Sequence, residues 1–314
     1  MRVEELRGEA FVTSAWRARP NLTVDAAMRV EVSRISQSGG ADLQREFVYP
    51  KPRLLVTWTP TPNNQFRFRL ERSVGQLDFN DFAASAQLSE DRLGAGNADL
   101  RPQQDWTVEA VYERRFWGDG VLSVTAGVSY LTDVVDIVPI FDEPGNFFAA
   151  PGNIGDGASS YLVIDITIPT ERLGVSGGRL RLRGSWVNSE VTDPTTGELR
   201  RSSFQTPFVP TVGFTQDIQR WRTNWGFEYR WMNEDTGYRI DELSCARLEN
   251  FLTVFAEYKP RPSLPLRAQF YTIGSLERTR ILFTGPRDRA GVRFTEEREV
   301  RPESRIQFRL RQTF

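Results

Sequence analysis

The sequence predicts an all-β fold, an antiparallel transmembrane β-barrel wall of about thirteen long strands. Three observations carry the reading. Apolar and polar residues alternate with a period of two along most of the chain, the implied strands are long, and the connections alternate short and long.

The alternation is clearest near residue 225. Trp221, Thr223, Trp225, Phe227, Tyr229 and Trp231 share one face, opposite Arg222, Asn224, Gly226, Glu228 and Arg230. Leu22, Val24, Ala26, Met28, Val30 and Val32 oppose Thr23, Asp25, Ala27, Arg29, Glu31 and Ser33. Phe66, Phe68 and Leu70 turn away from Arg67, Arg69 and Glu71, and Leu180 and Leu182 from Arg179, Arg181 and Arg183. The C-terminal residues set Ile306, Phe308, Leu310 and Phe314 against Arg305, Gln307, Arg309 and Arg311. Strands follow at 8–18, 22–35, 45–59, 64–74, 104–117, 121–135, 159–170, 179–192, 207–217, 222–233, 248–258, 264–274 and 303–314.

Many of these segments far exceed the ~5–6 residues usual in globular sheets. A strand tilted across a bilayer needs roughly that extra length. Trp221 and Trp231 lie ten residues apart on one face, as do Trp106 and Phe116. At ~3.3 Å per residue and a tilt of ~40° this leaves about 25 Å of height, the spacing of two aromatic girdles.

Short turns at Pro20-Asn21, Pro60–Asn63, Gly118–Gly120, Gly174–Gly178, Gln219-Arg220 and Pro260–Ser263 alternate with long loops. The long ones are 36–44, 75–103, 136–158, 193–206, 234–247 and 275–302. Short periplasmic turns and long extracellular loops are the outer-membrane pattern. Phe314 then ends on the periplasmic side and Met1 starts outside. An odd count with that start, and a segment Met1–Gly8 unlike a signal peptide, predict a C-terminal portion of a larger barrel. Residues 275–302 have the pattern of a further hairpin, around 281–283 and 292–294.

Composition removes other classes. The sequence has no histidine, which excludes Ser–His and Cys–His hydrolases and His-ligated zinc. One cysteine, Cys245, forbids an intrachain disulfide. Forty Lys and Arg oppose forty-one Asp and Glu, a balance unlike a nucleic-acid binder's. An enzyme is not expected, and no catalytic, metal or cofactor site is assigned.

Candidate lumen or ligand-facing residues are Arg67, Arg69, Arg181, Arg183 and Arg230, whose forks could hold an anionic solute or pair with Glu71 and Glu228. Asp78 and Asp81, beside Phe79 and Phe82, lie in the longest interior loop. The Gly/Asn-rich run from Gly145 to Gly157 lacks P-loop or EF-hand spacing and is expected to be a plain loop.

Gly96-Asn97-Ala98-Asp99-Leu100-Arg101-Pro102-Gln103-Gln104-Asp105-Trp106, followed by Glu109, Tyr112-Glu113 and Phe116, resembles a conserved barrel stretch of TonB-dependent outer-membrane receptors. Tyr49–Arg53, placed before a strand, and Asp133–Asp136 resemble the same barrel, and so does a last strand ending in Phe314. Ala98 and Gln103 depart from the family's proline and glutamate. The resemblance implies one barrel domain over 1–314, without the N-terminal plug, its TonB-contacting box and the earlier strands. It implies outer-membrane localisation, uptake of a scarce solute with a ferric siderophore as first candidate, and TonB contact only through the absent plug. Lipid, a small solute and the barrel-assembly machinery are the implied partners, the last through Ile306, Phe308, Leu310 and Phe314. A passive porin-type channel and a soluble all-β binding module are the alternatives. Haem is not an expected cargo through this region, because the resemblance implies that a haem receptor carries a histidine in a loop near Gly96–Pro102, and this loop has none.

Overall fold

A computed structural model describes residues 2–38, 43–82, 85–87, 92–94, 96–97, 99–141, 147–261 and 263–312. Strands β1 (Arg2–Arg19), β2 (Leu22–Ser38), β3 (Leu43–Thr61) and β4 (Asn64–Val74) form a meander. Short strands β5 (Ser85–Gln87) and β6 (Arg92–Gly94) lie in the next connection. The meander resumes with β7 (Gln104–Phe116) and β8 (Gly120–Thr132), and β9 (Val135–Phe141) and β10 (Phe147–Asn153) again leave it. Next come β11 (Gly157–Pro169), β12 (Gly178–Thr192), the two-residue β13 (Leu199–Arg200), β14 (Phe208–Ile218) and β15 (Thr223–Arg230). The chain finishes with β16 (Asn233–Tyr238), β17 (Glu242–Leu248), β18 (Phe251–Arg261), β19 (Leu264–Ile273), β20 (Leu276–Phe283), β21 (Val292–Val300) and β22 (Arg305–Leu310).

Thirteen strands form the wall in the order β1-β2-β3-β4-β7-β8-β11-β12-β14-β15-β18-β19-β22, with β13 attached to β12. Every neighbouring pair along it is antiparallel. The hairpin expected within 275–302 exists as β20–β21, but it belongs to a separate sheet, so the wall count stands. Among the described residues β1 and β22 end the path without pairing each other, and the barrel is not closed.

The register shows why the strands tilt. One cross-strand row runs Trp58, Phe66, Tyr112, Val124, Ile164, Gly184, Pro210. It begins beside the short turn after Trp58 and ends two residues into β14, at the long-loop rim. A row that climbs from one rim to the other is the stagger of a barrel. All seven of its residues lie on the apolar face. In the turn joining β7 to β8, Trp117 and Gly118 both take positive φ, 53° and 82°, which matches the twist of a tight hairpin.

The outward face carries exposed Leu6, Val12, Trp16, Val48, Val128 and Phe308. The inward face is polar. Two such faces leave little to bury between them, so among the described residues the wall has no continuous hydrophobic core. The buried cluster of Leu131, Val134 and Val191, with Ile154 against it, sits instead at the long-loop rim.

Two expectations need correction. Tyr49–Arg53 lies inside β3, not before a strand. The ladder from β3 to β4 starts only at Arg53↔Glu71, so one edge of β3 is free at Pro50 and Pro52, where a missing N–H does no harm. The Gly145–Gly157 run is not a plain loop either. Phe147–Asn153 is strand β10, and Gly145 and Asn146 lie outside the described residues. The long connections fold into two external sheets, β5-β6-β10-β9 and β16-β17-β20-β21.

Candidate functional site

Alternation puts the candidate arginines of the wall on its inward face, where carboxylates are spaced to meet them. Arg69 donates to Glu71 at 2.8 Å and reaches Glu109 at 3.1 Å. The same Glu109 accepts the Tyr161 hydroxyl at 2.6 Å. Glu109, Gly127 and Tyr161 are register partners, and the absent side chain of Gly127 makes room for the ring. A Cβ there would stand 2.4 Å from it. Arg67 lies 3.9 Å from Glu113, and Arg183 pairs with Asp165 at 3.1 Å. The Arg230 guanidinium lies over the Phe251 ring, 5.3 Å from its centroid.

Arg181 differs from these. It stands directly across Gly213 from Glu228, and among the described residues neither makes an ion pair. Both line a concavity of about 330 Å³ with Thr253, Phe255 and Arg267. The Arg267 guanidinium lies 4.1 Å from the Phe255 ring centroid, and Gly226 gives that ring its space. Pairing between wall arginines and carboxylates thus holds for Glu71 and fails for Glu228.

The loop candidates meet a different environment. The Asp81 N–H donates to the Asp78 carbonyl at 3.0 Å, and the Asn97 N–H to the Asp81 carbonyl at 2.9 Å. Burial, with Asp78 adding to it, pushes the Asp81 carboxyl above its ordinary value. The Gly96–Pro102 stretch proves to be a docking strap. Asn97 donates to the Pro151 carbonyl at 2.9 Å, Leu100 is buried, and Arg101 and Asn153 exchange two hydrogen bonds of 2.9 Å. Arg45 pairs with Asp99. Ala98 lies outside the described residues.

Sequence reasoning missed the most buried ionic group. Arg200, on the connection between β12 and β14, pairs with Asp193 at 2.6 Å and with Asp136 of β9 at 3.1 Å. Arg287, between β20 and β21, pairs with Asp193 at 2.7 Å. The Tyr238 ring lies 4.3 Å from Arg200 and 5.8 Å from Arg287. Burial pushes the Asp193 carboxyl up, but Arg287, the Thr196 and Thr195 amides and Arg200 together hold it below its ordinary value. The partners are separated by up to 94 residues in the chain, and no local pattern announces them.

Ile306, Phe308 and Leu310 lie on the outward face of β22, opposite Phe270, Ala268 and Leu266 of β19. Phe314 lies outside the described residues. Among the described residues no three His, Cys, Asp or Glu converge as a metal-ligand set.

An open, staggered antiparallel wall with an apolar outside, a polar inside and folded loops on one rim defines a membrane-barrel portion. No family model and no curated protein matches the sequence. Solved structures match the fold. The copper transporter OprC aligns with a TM-score of 0.67 at 10% identity, over 86% of this chain and 43% of that one. The Serratia marcescens hemophore receptor HasR, in complex with its hemophore HasA and heme, aligns with a TM-score of 0.62 at 12% identity, over 85% and 48%. The FrpB iron transporter from Neisseria meningitidis (F3-3 variant) gives 0.61 at 10% identity, over 85% and 40%. The chain spans less than half the length of each. These proteins are TonB-dependent receptors, transporters and not enzymes. The fold is that of the barrel portion of such receptors, and identity this low shows the fold alone.

Proposed function

We propose that the chain is the barrel portion of an outer-membrane receptor that takes up a scarce solute with energy supplied through TonB. The observation that supports this most is the single apolar outer face, kept in register across thirteen staggered strands while the inner face stays charged. A soluble binding module has no use for exposed Trp16, Val128 and Phe308 on that side. Residues 1–314 act as one barrel unit. The antiparallel pattern completes only when an odd number of further strands joins β1 to β22, since thirteen strands leave both edges running the same way.

Lipid is the partner of the outer face, and the outer membrane its place. The barrel-assembly machinery reads Ile306, Phe308, Leu310 and Phe314 on the last strand. A ferric siderophore is the first candidate cargo, with Arg181 available to an anionic group. HasR is solved with heme, but within residues 1–314 no imidazole is available to an iron, which disfavours haem as a cargo held by this region.

Uptake tests this reading. Cells expressing the intact protein should fractionate it with the outer membrane and accumulate radiolabelled ferric siderophore under iron limitation. Accumulation should stop when TonB is deleted. Uptake that persists without TonB and does not saturate would mark a passive channel instead.

A further inference from the structure

The two external sheets are built from different loops. β5-β6-β10-β9 comes from the connections before β7 and before β11, and β16-β17-β20-β21 from those before β18 and before β22. The connection between β12 and β14, residues 193–207, stands between them. Its Arg200 reaches into both sheets, to Asp136 of β9 at 3.1 Å and over Tyr238 of β16 at 4.3 Å from the ring centroid. Asp193 anchors Arg200, accepting also from the Thr195 and Thr196 amides at 2.8 and 3.0 Å. Through Asp193 the chain of charges continues to Arg287, which donates to the Arg239 carbonyl at 2.5 Å. Backbone bonds follow the same path. Phe204 N–H donates to the Thr236 carbonyl, and Arg287 N–H to the Ile240 carbonyl. Ser203 adds a hydroxyl bond to Asp136 at 2.9 Å.

The order of charge is acid, base, acid, base, so the group is neutral as a whole. Its four charged side chains are between 2% and 8% exposed. Removing any one leaves the other three with a net charge out of water and at least one of them short of a partner, which is the costly way to lose a buried pair. Water and salt screen such a group little.

We propose that residues 193–207 form a latch with Arg200 as its keystone, so that the two external sheets open and close as one cap rather than loop by loop. The latch couples the two external sheets directly. A solute that engages either sheet therefore biases both, whatever the solute is. The proposal does not rest on the transport reading.

Hydrogen–deuterium exchange on the intact protein in outer-membrane preparations tests it. In the unsubstituted protein, at a pH high enough that intrinsic exchange outruns reclosing and opening limits exchange, peptides spanning 135–141 and 242–248 should show one common opening rate. Distinct rates for the two would overturn the latch. Arg200→Met should speed exchange in both sheets by at least tenfold, and Arg183→Met, on the wall, in neither. Acceleration in one sheet alone, or in none, would overturn the proposal as well. Unheated electrophoresis checks that each variant assembles. If Arg200→Met does not, the two opening rates of the unsubstituted protein decide the question.

Discussion

In the wall, Arg183 and Asp165 meet at 3.1 Å with side chains 56% and 46% exposed. In the cap, Arg200 and Asp193 meet at 2.6 Å with 7% and 2% exposed. The chemistry is the same, a guanidinium against a carboxylate, and the solvent around it is not. On the inward wall water competes for both charges, and the pair adds little beyond keeping a polar surface satisfied. In the cap both side chains are buried, so the pair couples whatever carries its two ends. The wall takes its stability from its backbone ladders. The cap takes its cohesion from a few buried side chains on segments far apart in sequence.

The comparison can be broken by substitution. The largest effect is expected in the cap: Asp193→Ala should destabilise it by about 3–5 kcal/mol, because Arg200 and Arg287 then stay buried without their shared partner. Protease nicking of the outer loops on intact cells, with the wall still heat-modifiable, reads this out. Next comes the outward wall. Leu162→Arg, near the middle of β11, should cost about 2–4 kcal/mol of folding free energy in lipid, whereas Val163→Arg on the inward side should cost clearly less. Equal losses in urea unfolding from bilayers would contradict the assignment of faces. Gly127→Val should cost about 1–3 kcal/mol by pushing the Tyr161 ring off its seat, and the same unfolding series measures it. The smallest effect belongs to Arg183→Ala, at ~0–1 kcal/mol. A loss as large as that of Asp193→Ala would erase the distinction between wall and cap.

Acidity sharpens the same contrast. Asp193 is held below its ordinary value, so its contribution is present above the usual carboxylate range and is lost as pH falls through its lowered value. Asp81 is raised, so its contribution is present in acid and is lost as pH rises from the usual carboxylate range through its raised value. Near-ultraviolet dichroism of Tyr238, whose ring meets both the Arg200 and the Arg287 guanidinium groups, should therefore hold down to acid below that range. Loss of the signal near neutrality would contradict the assignment.

Much of the wall was legible because its cause is local. Trp225, Phe227 and Tyr229 turn opposite to Glu228 and Arg230 through the pleat alone, and the register of β14, β15 and β18 keeps them so. The hairpin at β20–β21 was visible for the same reason, although its removal to a separate sheet was not. Arg69 meeting Glu71 was readable as two residues on one strand face. Tyr161 reaching Glu109 was not, since it needs Gly127 of a third strand to stand between them.

The sequence by itself determined an all-β wall, its thirteen strands, its two faces and the rim that carries the long connections, because period-two alternation and turn length act over a few residues. Tertiary structure alone decided that these connections fold into two sheets, that Asn97 and Leu100 strap one loop onto another, and that Asp136, Arg200, Asp193 and Arg287 meet out of water. A charge in a Gly- and Pro-rich loop reads the same whether it ends solvated or buried. Only the fold, by bringing segments as much as 94 residues apart into contact, fixes which of the two it becomes.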